Sequence, residues 1–191
     1  MIDRRGLLTL LAAAVLSVQT APARAAEPLE VVATTGMIAD AAREVGGEHV
    51  EVRALMGPGV DPHAYRQTRT DIAAMTRADL VLWHGLYLEA QLEDFLLQLA
   101  ERRPVVAVAE PMPRNLLIGH DDYETKFDPH VWMNPNLWAR VVLNVRDALI
   151  EARPDARAAF EANAEAHMAE LRELAVYATG VLASVPADRR V

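Results

Sequence analysis

Short apolar segments alternate with amphipathic helical segments along the first two thirds of the chain, and this alternation constrains the fold more than any other feature of the sequence. The apolar segments are predicted strands, at residues 29–33, 50–55, 79–83 and 104–109. The segments between them are predicted helices, at about residues 37–45, 68–77 and 88–100. Strands that alternate with helices pair in parallel, so we predict an α/β, doubly wound, mainly parallel four-stranded lobe. The fourth segment is so apolar that we do not expect it at an edge exposed to water.

Two further helices are predicted after the last strand. The first opens at Asn134, with a proline at its first position, and covers residues 135–152. The second covers residues 154–184, with apolar residues spaced four and three apart. A helix of this length extends for roughly 45 Å, more than one small lobe needs. We therefore expect it to buttress two lobes or to pair with a partner, and we expect the sequence to be truncated, because it ends soon after this helix.

The first 25 residues are predicted to be an export signal that is removed from the mature protein. Arg4 and Arg5 precede an apolar stretch at residues 6–18, and alanines at positions 23 and 25 match the spacing of a cleavage site. This stretch is too short to cross about 30 Å of hydrocarbon as a helix, so we expect a periplasmic protein without stable membrane insertion. The adjacent arginines leave open whether export follows the secretory or the twin-arginine route.

The charge and the absence of cysteine exclude several classes of function. The chain carries 19 Lys and Arg against 27 Asp and Glu, a net charge of −8, and Lys126 is its single lysine. Because no basic stripe can neutralise phosphates, nucleic acid is not an expected partner. The sequence contains no cysteine and so offers no disulfide, no thiolate metal site, no cysteine nucleophile and no cysteine for lipid attachment.

The tripeptide Asp-Pro-His occurs twice, at residues 61–63 and 128–130. Proline fixes its own φ and restricts the residue before it, so each histidine is held on a stiffened backbone. A neighbouring aspartate can accept the second imidazole N–H and orient the ring. Both loops belong to the end of the lobe at which ligands bind, so we expect His63 and His130 to converge on one cation. Two ligands are too few for a divalent metal ion, so further histidines or carboxylates must complete the site.

A single Asp-Pro-His is also compatible with a simple turn whose histidine is satisfied by the backbone. The repetition in one exported chain favours the metal site over this interpretation.

Four segments resemble the TroA-like metal-binding receptors of bacterial ABC importers: residues 34–40 (TTGMIAD), 57–65 (GPGVDPHAY), 85–89 (GLYLE) and 127–134 (FDPHVWMN). The resemblance covers about residues 29–191. It implies two α/β lobes joined by one long rigid helix, with a divalent transition metal ion held between them as the transported ligand. It also implies delivery of that ion to a membrane permease.

The resemblance assigns roles to parts of this chain. His63 and His130 are implied to be the metal ligands of the first lobe. The predicted boundaries are a signal peptide at 1–25, an N-terminal metal-binding lobe at 26–153, a connecting helix at 154–185 and the start of a C-terminal lobe at 186–191. The second α/β lobe, with the family's remaining two ligands, is expected to be absent from this sequence.

The other histidines are not expected to bind the metal directly. We interpret His84, at the end of the third strand, either as a supporting residue of the site or as a residue without a functional role. We interpret His167 as a packed residue on the long helix and His49 as exposed at the opposite end of the sheet. His120 lies in a loop at residues 119–126. Family members specialised for zinc often carry a long histidine-rich insertion there, and the short loop of this chain slightly favours manganese or iron over zinc.

Two other functions stay open at this point. A metal-dependent hydrolase would hold zinc with two histidines and a carboxylate and leave a position for water, but the sequence contains no His-Glu-x-x-His or comparable helix signature. An adhesin-like interaction module is the other alternative, since relatives of this family are often described as adhesins. The sequence favours a periplasmic metal receptor that is not an enzyme.

Overall fold

A computed structural model describes residues 27–120 and 123–189 of the chain. The predicted signal peptide and residues 190–191 lie outside the described residues. The described residues form four strands: β1 (Leu29–Ala33), β2 (Val50–Ala54), β3 (Leu80–Trp83) and β4 (Val105–Ala107). They form five α-helices: α1 (Gly36–Gly46), α2 (Arg69–Arg77), α3 (Glu93–Ala100), α4 (Pro135–Ala152) and α5 (Arg157–Ser184).

The four strands make one parallel sheet in the order β2-β1-β3-β4. Val31 in β1 pairs with Val52 of β2 on one side and with Leu80 of β3 on the other, and Leu82 pairs with Val106 of β4. The strand order reverses direction between β1 and β3. In doubly wound sheets this reversal opens a crevice at the carboxyl ends of the strands, where ligands bind.

Helices cover both faces of the sheet. Val31 and Leu82 pack against α1, α4 and α5 on one face, whereas Val32, Val81 and Trp83 pack against α2 and α3 on the other. Successive residues of a strand point to opposite faces, which is why neighbouring valines in β1 are both buried. The predicted doubly wound α/β lobe followed by a long helix is confirmed.

The fourth strand was not expected at an edge exposed to water, but within the described residues β4 is an edge strand of the sheet. Its three residues are half-buried. Val106 packs against the hydrophobic cluster on one face, and Val105 and Ala107 pack against the cluster on the other. Coverage of both faces, rather than a second neighbouring strand, explains the apolar sequence, and the short edge limits unwanted pairing with other chains.

The helix predicted over residues 88–100 is shorter than expected, since α3 begins at Glu93. Three consecutive residues before it, 85–87, have left-handed backbone with φ of 80°, 51° and 66°. The side chain of Glu89 accepts two backbone N–H groups of this turn, at 2.8 and 3.2 Å. The apolar residues that begin at Leu88 therefore belong first to a turn, and only from Glu93 onward to a helix.

Two helices begin where local sequence signals place them. At α2, Thr68 accepts the Asp71 backbone N–H at 3.3 Å and Asp71 accepts the Thr68 backbone N–H at 2.8 Å, so the predicted capping box is present. At α4, Asn134 accepts the Asn136 backbone N–H at 3.0 Å, and proline occupies the first helical position.

The long helix α5 packs against α1 and α4 through its first half. Phe160, Ala164 and Leu171 of the apolar stripe are buried, whereas Leu174 and Val181 further along it expose 49% and 46% of their surfaces. At 1.5 Å per residue, the 28 residues of α5 extend for about 42 Å. The predicted apolar stripe thus consists of a packed half and an exposed half, as expected of a helix that reaches past one lobe.

No helix of the described residues combines the length and the hydrophobicity that a bilayer span requires.

Candidate metal centre

The first Asp-Pro-His tripeptide lies in the long loop between β2 and α2. Backbone hydrogen bonds to the segment after β1 continue as far as Met56, and residues 57–61 are then exposed. Oδ1 of Asp61 accepts the backbone N–H of His63 at 2.9 Å. The tripeptide is therefore a local turn, stiffened by Pro62, and it presents an exposed imidazole near the carboxyl end of the sheet.

The second tripeptide follows a short antiparallel bridge between Gly119 and Phe127. Oδ1 of Asp128 lies 2.8 Å from the backbone nitrogen of His130 and 2.6 Å from its ring Nδ1. Because the carboxylate accepts, Nδ1 carries the proton and the Nε2 lone pair is left for a metal ion. The predicted aspartate–imidazole bond is thus present at this tripeptide. The first tripeptide has no such bond among the described residues.

The carboxylate of Asp128 is held in its charged form. Burial alone would raise its pKa, but the hydrogen bonds from the backbone and ring of His130 lower it, and electrostatic interaction with the imidazoles of His130 and His120 acts in the same direction. A charged acceptor strengthens the bond to the imidazole. The ring of His130 is therefore oriented in advance of any metal binding.

The two imidazole rings meet, although they belong to loops that are distant in sequence. The centroids of His63 and His130 lie 5.4 Å apart, with 50° between the ring planes. An ion bound tetrahedrally at about 2.0–2.1 Å from one nitrogen of each ring would hold the centroids roughly 5 Å apart. The spacing therefore suits one shared cation, and both histidines are exposed to solvent, from which an ion can arrive. The expected convergence is observed, and the ligand role of the two residues stays a prediction.

Two imidazoles alone would leave the coordination shell of a metal ion incomplete. The described part of the chain contains no group of three or more His, Cys, Asp or Glu residues suited to holding a metal ion. Protein sites for divalent transition metals generally use about four donors. The remaining donors of such a site would have to come from outside the described residues or from solvent.

His84 supports the second tripeptide from inside the protein. Its side chain is fully buried, its Nε2 donates to the carbonyl oxygen of Pro129 at 2.8 Å, and its ring lies edge-on to Trp132. Burial lowers the pKa of His84 to about 4; the hydrogen bond to Pro129 opposes this shift and the charge of His130 adds to it. Its Nδ1 has no hydrogen-bond partner within the described ranges. His84 is therefore a neutral tether beside His130, in agreement with the predicted supporting role.

The other histidines have different surroundings. The ring of His49 lies edge-on to Phe160 with centroids 5.8 Å apart and is half-buried, so the expectation that it is exposed is wrong, because α5 covers it. His167 is half-buried on α5, consistent with its predicted packed position. His120 contacts Tyr123 edge-on, with centroids 4.9 Å apart, near the second tripeptide.

A buried carboxylate at the carboxyl end of the sheet was not predicted from the sequence. Glu89 is fully buried and accepts the hydroxyl of Thr34 at 2.6 Å, which joins the segment after β1 to the turn after β3. Burial raises the pKa of Glu89, and the hydrogen bonds from Thr34, His84 and Gly85 oppose this shift. The available signal was a single acidic residue inside an otherwise apolar stretch.

Glu110 fixes the same turn from the other side. Its Oε1 accepts the Leu86 backbone N–H at 2.9 Å. Gly85, at φ 80°, lies so close that a Cβ there would be 2.7 Å from the Glu110 Cγ. Glycine is therefore required at this position for both backbone geometry and space.

We expect Glu89→Gln to lower the free energy of unfolding by about 1–3 kcal/mol, because an amide cannot accept hydrogen bonds at both of its terminal atoms and one buried N–H loses its acceptor. Urea denaturation measures the difference. The control Glu101→Gln changes an exposed acid, and we expect it to stay within about 0.5 kcal/mol of the wild type. Equal stabilities of the two variants would contradict the role of Glu89 in the turn.

A second buried acid, Asp71, is connected to the loop that carries the first tripeptide. Asp71, already placed in the capping box, also accepts the hydroxyl of Tyr65 at 2.7 Å. Burial, the hydrogen bond to Asp71 and its charge raise the pKa of Tyr65 to about 12. Burial alone would raise the Asp71 pKa, but the hydrogen bonds from Thr68 and Tyr65 and the charge of Arg53 lower it. The pair is therefore a neutral phenol donor and a carboxylate acceptor around neutral pH.

Comparison with known proteins shows the family to which the chain belongs. Residues 31–191 match the family model described as ZnuA, the periplasmic component A of a zinc-uptake complex. The manganese-binding lipoprotein MntA of Bacillus subtilis is 41% identical, over 86% of this chain and 54% of that protein. The iron-binding protein YfeA of Yersinia pestis is 31% identical, over 88% of this chain and 54% of that protein.

A solved structure gives the same result for the fold. The periplasmic zinc-binding protein TroA from Treponema pallidum superimposes with a TM-score of 0.81 at 37% identity, covering 85% of this chain and 58% of that one. The chain thus spans a little over half the length of the relatives that it matches. The family model is described as a component of a zinc-uptake complex, and these relatives are described as manganese-, iron- and zinc-binding proteins.

Proposed function

We propose that this chain, which belongs to the ZnuA family of periplasmic metal-uptake components, captures a divalent transition metal ion with His63 and His130 for transport into the cell. The observation that carries the proposal is the 5.4 Å separation of the two imidazole centroids. The oriented ring of His130 supports it, because a ligand whose second nitrogen is already bonded loses little freedom on binding.

The proposal includes the position of the chain within a larger receptor. Residues 26–153 form the first metal-binding lobe, and residues 154–185 form the helix that leads to a second lobe. The exposed second half of α5 supports this arrangement, because large apolar side chains in water generally mark a surface that another part of a protein covers. The second lobe supplies the donors that complete the coordination shell.

We further propose that the receptor acts in the periplasm and delivers its ion to the membrane permease of an ABC transporter. The predicted export signal supports the location. One relative, ScaA of Streptococcus gordonii, is described as a manganese ABC transporter substrate-binding lipoprotein. That description supports the permease of an ABC transporter as the partner.

For the cargo, we propose manganese or iron ahead of zinc. The support is the short loop at residues 119–126, which contains a single histidine. The related proteins are named for manganese, zinc and iron, so relatedness alone leaves all three open. Imidazoles bind zinc more tightly than manganese or iron whatever the biological cargo, so the preference concerns the ion that is delivered and not raw affinity.

Paramagnetic broadening by Mn²⁺ tests the site without altering the sequence. We expect the ring signals of His63 and His130 to broaden first during a Mn²⁺ titration followed by NMR, because paramagnetic relaxation acts only at short range. His49 and His167 serve as internal controls, and an excess of EDTA should restore all signals. Equal broadening of all four histidines would overturn the proposed site.

The two alternative functions have no comparable support. The hydrolase alternative is disfavoured because the family and its relatives are transport receptors and not enzymes. No contact among the described residues favours an adhesin-like interaction module over a metal receptor.

A further inference from the structure

We infer that Tyr65 is a positioning residue, which holds His63 opposite His130 through its hydrogen bond to Asp71. The inference rests on the proposed metal-binding function. It concerns how the first tripeptide is fixed in space, a task for which the tripeptide itself offers only a local turn.

The loop that carries His63 has few attachments to the rest of the protein. Residues 57–61 are exposed, and a Cβ added at either Gly57 or Gly59 would meet open space. The hydrogen bond between Asp61 and His63 lies within the tripeptide and so fixes its shape but not its position. Some other contact must place the loop relative to the sheet.

Tyr65 makes that contact two residues after His63. Its half-buried ring packs against the hydrophobic cluster between the sheet and α2. Its hydroxyl donates to Oδ2 of Asp71 at 2.7 Å. The loop therefore returns to the core at Tyr65, with the imidazole of His63 on the exposed side of this attachment.

The acceptor is itself rigid. Asp71 is 5% exposed and lies in the first turn of α2. The same Oδ2 accepts the backbone N–H of Thr68 at 2.8 Å and its hydroxyl at 2.6 Å, and Arg53 approaches the other carboxylate oxygen at 3.8 Å. A side chain held by this many contacts has little freedom of its own, so the hydroxyl of Tyr65 is tied to the helix and not to another mobile group.

Loss of this bond should broaden the range of positions that His63 samples. In the wild type the loop is already held in place before an ion binds. In a variant without the hydrogen bond, ion binding would have to order the loop, and this entropic cost lowers the affinity for the ion. The second tripeptide has its own tether from His84 to Pro129, so the effect should be confined to the side of His63.

The test compares Tyr65→Phe with the wild type in a Zn²⁺ titration of the full chain followed by histidine NMR. Phenylalanine keeps the ring in the cluster and removes only the hydroxyl. We expect the affinity to fall by about fivefold to tenfold, since a hydrogen bond to a charged group is lost. The matched control Tyr177→Phe removes a hydroxyl from the exposed half of α5 and should leave the affinity unchanged.

A double-mutant cycle with His63→Ala separates positioning from a general structural role. If Tyr65 acts through His63, Tyr65→Phe should have no further effect on Zn²⁺ affinity once that imidazole is removed. A loss of equal size in the His63→Ala background would overturn the inference.

The same data distinguish failure of the inference from failure of the proposed function. If His63→Ala weakens binding and Tyr65→Phe does not, the positioning role is wrong and the metal site stands. If His63→Ala itself leaves the affinity unchanged, the metal site is wrong, and the positioning role is overturned with it.

Discussion

Replacing His63 with alanine is expected to weaken Zn²⁺ binding to this chain by about 100-fold or more. Loss of a group that only orients a metal ligand costs about 10- to 100-fold in affinity, and loss of a ligand should cost at least as much. The described residues offer no third His, Cys, Asp or Glu in a cluster with His63 and His130 that could replace the missing imidazole. Equilibrium competition with a chelator of known affinity measures the change.

The reciprocal variant His130→Ala should lose a similar amount, because both rings are proposed to contact the same ion. His49→Ala is the matched control, since His49 lies against Phe160 rather than beside the two rings. We expect His49→Ala to lower the thermal stability, if it changes anything, and to leave the Zn²⁺ affinity unchanged. If either site variant bound Zn²⁺ as tightly as the control, the ion would not be shared by the two histidines.

Local signals in the sequence predicted most of the fold. The β1 strand and the start and end of α4 match their predicted bounds, because hydrophobic spacing and a cap such as Asn134 act over a few residues. The capping box of Thr68 and Asp71 was predicted for the same reason.

The errors arose where distant residues override a local pattern. The start of α3 was misplaced because the Glu89 carboxylate, held by Thr34 after β1, accepts the backbone N–H groups of His84 and Gly85 and so keeps this segment in a turn. The position of β4 at the edge was missed because its apolar character reflects helices that cover both faces. Thr34 lies far from Glu89 in the sequence, and one face of β4 packs in a cluster with α1, α4 and α5, which are separated from it in the sequence. Periodicity alone therefore cannot identify these contacts.

The candidate site shows the same division. The two tripeptides were identifiable from repetition, and their convergence followed from the rule that ligands bind at the carboxyl ends of parallel strands. The tethers were not identifiable, since the bonds from Tyr65 to Asp71 and from His84 to Pro129 depend on how the loops fold back on the sheet. The candidate ligand residues could therefore be predicted from the sequence, whereas the contacts that hold their loops in place could be identified only from the structure.

Replacing Phe160 with alanine is expected to lower the free energy of unfolding by about 3–5 kcal/mol. Phe160 is fully buried where α5 packs against α1 and α4, and its truncation would lose both hydrophobic burial and packing around the resulting cavity. Urea denaturation with an unchanged m-value would assign the loss to stability and not to a change in the unfolded state.

Tyr177→Ala on the same helix is the matched control for that change. Tyr177 exposes 69% of its surface, and alanine is the better helix former, so the free energy of unfolding should change by less than about 0.5 kcal/mol. A large loss in both variants would mean that the second half of α5 is also covered in the isolated chain, for example by a second copy. A large loss of unfolding free energy in Phe160→Ala alone would establish that the lobe packs only against the first half of the helix. In that case the second half is free to carry another lobe without disturbing the fold that positions His63 and His130.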